Sequence, residues 1–64
     1  VVKMILWKVQ IWNEKEWKWI TIARAIRFDY YSSKACKNHI RENYPDIAKQ
    51  VEGKSWDVEV EKWE

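Results

Sequence analysis

VQIWNEKEWKWITI, residues 9–22, decides the fold. Two runs rich in β-branched and aromatic side chains flank Asn13-Glu14-Lys15-Glu16, a stretch with no apolar side chain. That pattern is the signature of two antiparallel strands joined by a tight turn. Working outward, residues 2–12 (VKMILWKVQIW) and 17–28 (WKWITIARAIRF) are predicted as the two strands. A turn over 13–16 sets Trp12 opposite Trp17, and on one face it sets Val9 opposite Ile20, Trp7 opposite Ile22 and Ile5 opposite Arg24, with Ile26 further along. This face is almost wholly apolar. The other face carries the Trp12/Trp17 pair and sets Gln10 opposite Trp19, Lys8 opposite Thr21, Leu6 opposite Ala23 and Met4 opposite Ala25, and is mixed.

The period changes over residues 29–43, DYYSSKACKNHIREN. Phe28, Tyr31, Ala35, Cys36, His39, Ile40 and Tyr44 recur at i, i+3 and i+4, the stripe of a helix. Asp29 or Ser32 supplies the N-cap, and Pro45 stops the helix by disfavouring helical geometry at Tyr44. PDIAKQVEG (45–53) reads either as a short second helical turn capped by Asp46 and ended at Gly53, or as a strand over 47–51. SWDVEVEKWE (55–64) alternates: Trp56, Val58 and Val60 point one way, Asp57, Glu59, Glu61 and Trp63 the other.

The order strand, strand, helix, strand predicts a single α+β domain over 1–64 with ββαβ topology. A right-handed crossover brings the last strand beside the first, giving a three-stranded antiparallel sheet of order 2-1-3 with one helix packed on one face. The helix covers either the Ile5/Trp7/Val9 face or, with Ala23 and Ala25 beneath it, the other. The element order is similar to that of short phage-encoded inhibitors of host enzymes and of a small archaeal ribosomal protein. That resemblance is of order alone and transfers no site residue.

With 64 residues the core is small and large side chains must carry it. Net charge is +2 but unevenly spread. Residues 1–41 hold nine Lys/Arg against three carboxylates, and residues 42–64 hold three Lys against seven. Either the acidic end lies beside the basic start and neutralises it, or a basic face awaits nucleic acid or an acidic protein. A single Cys excludes an internal disulfide and suits a reducing, cytoplasmic location. No apolar run is long enough to cross a membrane as a helix, and VVKMILW, interrupted by Lys3, is not read as a signal peptide.

One helix can shield only one sheet face. The other then shows Met4, Leu6, Trp12, Trp17, Trp19 and Trp63 to water, with Lys8 beside them, and exposed apolar patches of that kind mark interaction sites. The expected function is therefore non-enzymatic: binding to another protein or to a second copy of the chain. The alternative is single-strand nucleic-acid binding by the same tryptophans with Lys8, Lys15 and Lys18, since indoles stack on bases. Cys36 and His39 stand at helical i, i+3 spacing, but one Cys and one His fall short of a zinc set and both lie on the apolar stripe. Asp57, Glu59 and Glu61 read as a solvated strand face, and Ser32-Ser33 as a capping pair. No catalytic residue, cofactor, metal or small-molecule substrate is expected.

Overall fold

The computed structural model describes residues 4–64. The expected strand start at Val2 and any role of Lys3 lie outside them. Five elements follow in order: β1 (Ile5–Asn13), β2 (Lys18–Arg27), α1 (Ser33–Asn43), α2 (Pro45–Val51) and β3 (Trp56–Trp63). The sheet is antiparallel with order β2-β1-β3, as the crossover argument requires. Residues 45–51 are a helix, so the helical layer has two members rather than one. Pro45 explains both helices. It cannot donate to the turn before it, so α1 ends, yet its fixed φ suits the first position of α2. Ser32 is the cap of α1, its hydroxyl accepting from the Ala35 N–H at 3.3 Å. Asp29 is not a cap. Its carboxylate holds the Arg27 guanidinium and accepts from the Ile5 N–H.

The hairpin register differs from expectation by two residues. Trp12 faces Trp19, Ile11 faces Ile20 and Asn13 faces Lys18, so Trp12 and Trp17 are not register partners. The turn occupies 14–17 instead of 13–16. Asn13 decides this, because its side-chain carbonyl accepts from the Glu16 N–H at 3.0 Å and begins the turn, while Trp17 closes it with φ 57°. A shift of two conserves the sheet face of every side chain, where a shift of one would have inverted them all. Ile5, Trp7 and Val9 are accordingly the buried face, at 3, 2 and 0% exposure.

Nearer the strand ends the regular ladder breaks. On β2 the register slips between Gln10 and Val9 and again between Val9 and Trp7, so Val9 faces Ala23 and Trp7 faces Ile26. On β3 it slips between Trp7 and Leu6, leaving Glu61 as the extra residue. Such bulges add one residue and bend the strand. They bring Ile26, not Arg24, into the core and turn Trp63 to the other sheet face.

The core joins Ile5, Trp7, Val9, Ile26 and Val58 of the sheet to Cys36, Ile40 and Val51 of the helices. The Trp7 indole N–H, which burial would otherwise orphan, donates to the Phe28 carbonyl at 2.8 Å. Cys36 is fully buried and desolvation pushes its thiol up to about 11. His39 lies between the rings of Phe28 (4.9 Å) and Tyr44 (5.8 Å). The Cys36–His39 spacing therefore serves packing.

Candidate functional site

Three indoles meet at the hairpin tip. Trp12 comes from β1, Trp17 from the turn and Trp19 from β2. Trp17 and Trp19 both approach Trp12 edge-to-face, with centroids 5.2 and 5.5 Å away. Each such pair contributes roughly 0.5–1.5 kcal/mol beyond burial. The cluster lies on the face away from the helices, because Val9 and Ile11 pack inward and Trp12 alternates outward. It remains wet: Trp17 is 75% exposed and Trp19 44%.

The other residues of the expected patch divide. Met4 and Leu6 share this face but stand at its far end, Leu6 about 20 Å and Met4 about 26 Å from Trp12 at the rise of a strand. Between them runs a polar belt. Lys8 faces Glu59 in the register, and the Gln10 amide donates to Glu59 at 3.1 Å. Arg24 of β2 reaches across β1 to pair with Glu61, whose carboxylate also accepts from the Ala25 N–H at 3.3 Å. That bridge must cross the helix-free face, since Trp7 fills the other. The Arg24 hydrogen bond, then the Ala25 N–H, hold the Glu61 carboxyl below its ordinary value, with Lys8 adding to the effect. The acidic β3 thus neutralises the basic hairpin, and Lys8 is part of that balance.

Trp63 is not in the cluster. The bulge at Glu61 sets it opposite Ile5 on the helix-bearing face, where its ring lies 5.4 Å from Tyr31, itself 6.2 Å from Trp7. Tyr31 precedes α1 instead of lying on its buried stripe, and is 71% exposed. With Tyr30 it makes a second aromatic end that the helical spacing concealed. The sequence signal was there in the Ser32 cap, which leaves Tyr30 and Tyr31 in the connection. Trp56, the last of the six, is half-buried under α1, with Lys37 Nζ 4.5 Å from its ring centroid and Arg41 beside it.

Among the described residues no group of three or more His, Cys, Asp and Glu is placed to hold a metal ion, and no helix is long and apolar enough to cross a membrane. Compared with known proteins, the chain matches no family model, no curated protein and no solved structure. The functional reading rests on geometry.

Proposed function

We propose that the chain is a non-enzymatic protein-binding domain whose anchor is the tryptophan knuckle Trp12/Trp17/Trp19. The observation that supports this most is Trp17. It holds a left-handed backbone at φ 57°, a conformation that costs a bulky residue roughly 1–2 kcal/mol, yet its indole is 75% exposed. Little core packing offsets that strain. A partner that covered the indole would, because a fully covered Trp gains several kcal/mol at roughly 25 cal/mol per Å². Met4 and Leu6 extend the face, and Lys8 with its acidic neighbours orients what docks there. The buried free thiol of Cys36 fits a reducing, cytoplasmic setting.

The nucleic-acid reading has less support. Lys18 pairs with Asn13 and so alternates away from Trp19, and Lys8 faces Glu59. Affinity for oligo-dT that collapsed between 50 and 200 mM salt would favour it. The direct test is capture from a lysate of the source cells. A specific partner should be retained by wild type and by Trp63→Ala, and lost with Trp17→Ala and with Trp19→Ala. Capture indifferent to both knuckle substitutions would overturn the proposal.

A further inference from the structure

The two outer edges of the sheet are unlike. Along β3 two of the backbone groups that face away from β1 are occupied by side chains. Because the Trp12 N–H donates to the Ser55 carbonyl, Trp56 and Val58 turn their own groups outward. Lys37 Nζ then caps the Trp56 carbonyl at 3.0 Å, and the Asp57 carboxylate takes the Val58 N–H at 2.8 Å. Carboxylates line the same strand. This edge is partly blocked to further pairing.

The β2 edge has no such closure. The same alternation directs Lys18 and Ile20 toward β1, and turns the N–H and C=O of Trp19 and Thr21 outward. Among the described residues neither strand nor side chain meets them. From Lys18 to Thr21 the strand is regular, and bulges begin only beyond it. Ile20, at its centre, is half-buried and lies outside the core cluster.

We infer that the free edge of β2 is a self-association site that pairs antiparallel with β2 of a second copy, about a two-fold axis at Ile20. The segment is complementary to itself in that register. Trp19 and Thr21 of one copy exchange backbone hydrogen bonds with Thr21 and Trp19 of the other, and the two Ile20 side chains cover each other. The pairing carries the turn of one copy, with Glu14, Lys15 and Glu16, toward the Arg24–Glu61 and Arg27–Asp29 pairs of the other, so no like-charged block faces itself. The result is one continuous six-stranded sheet with both knuckles on its helix-free side. The surface is independent of the knuckle, since it uses backbone groups that no Trp17 substitution removes. The paired edge is short, so the dimer is weak and concentration-dependent.

Sedimentation velocity of the full chain over a wide concentration range tests this. Wild type should shift from monomer toward dimer as concentration rises. Thr21→Pro deletes an outward N–H at a position where edge strands accept proline, and Ile20→Lys sets two like charges face to face. Each should weaken association at least tenfold, and Trp17→Ala should leave it unchanged. Circular dichroism identifies a variant that fails to fold, in which case the other decides. A wild type that stays monomeric throughout would overturn the inference, as would a dimer that survives both edge substitutions or dissolves with Trp17→Ala. A monomeric wild type, or a dimer that survives both edge substitutions, would leave the knuckle's role as an anchor untouched.

Discussion

Among the described residues, three hold a left-handed backbone: Trp17 and Ala25 at φ 57° and Gly53 at φ 74°. Only at Gly53, just past α2, does the residue suit the conformation. Ala25→Gly should therefore stabilise the fold by about 0.5–1 kcal/mol, and Gly53→Ala, despite open space around its Cα, should destabilise it by about 1 kcal/mol. Opposite signs in urea denaturation check this; equal signs would refute the strain reading. Asp29 and Glu61 give a pH signature. Arg27, then the Ile5 N–H, lower the Asp29 carboxyl as Arg24 and Ala25 lower that of Glu61. A folded-state value below the unfolded one stabilises the native state above roughly pH 4 and ceases to as pH falls through the folded value. Acid should lower the urea midpoint, and Glu61→Gln should flatten that dependence. An unchanged slope would show that the cross-sheet pair is not made.

At the scale of elements, periodicity foretold much and the departures from periodicity account for the rest. Alternation in residues 5–12 and 56–60 sorted the side chains onto the two faces correctly but left open which face the helices cover, and Ser32, one of two candidate caps, and Pro45 bounded α1. The register was misplaced because Asn13, a strand residue by position, spends its side chain on the turn. Trp63 was misplaced because no residue type announces the bulge at Glu61; it arises where the Arg24 and Ala25 donors draw that carboxylate across β1. α1 itself was read with Cys36 and Ile40 inward, and both are fully buried. With its thiol raised to about 11, Cys36 is protonated at neutral pH. A maleimide or disulfide reagent should label it slowly in the native chain and rapidly in urea. Fast native labelling would contradict the packing of α1.

Over the whole molecule, a helical layer on one side only explains the open surface. The folded chain measures 42 × 22 × 16 Å. α1, with 11 residues, runs roughly 16 Å at the rise of a helix, while the ten residues of β2 run roughly 33 Å. The helices lie on one face of the sheet only, and Trp12, Trp17 and Trp19 gather on the other. That uncovered surface was legible from composition: six tryptophans exceed what one short helical layer can bury. Its division into a knuckle and a separate Tyr30/Tyr31/Trp63 end was not, because it follows from a single bulge. The most direct measurement is the unfolding free energy of the Trp17→Ala/Trp19→Ala double variant beside Trp7→Ala. Indoles held for a partner should cost about 1–3 kcal/mol together, the value of their two edge contacts, and less than Trp7, which should cost about 3–5 kcal/mol. A double variant that loses as much as Trp7→Ala would show that the knuckle is core, and the binding surface would not exist.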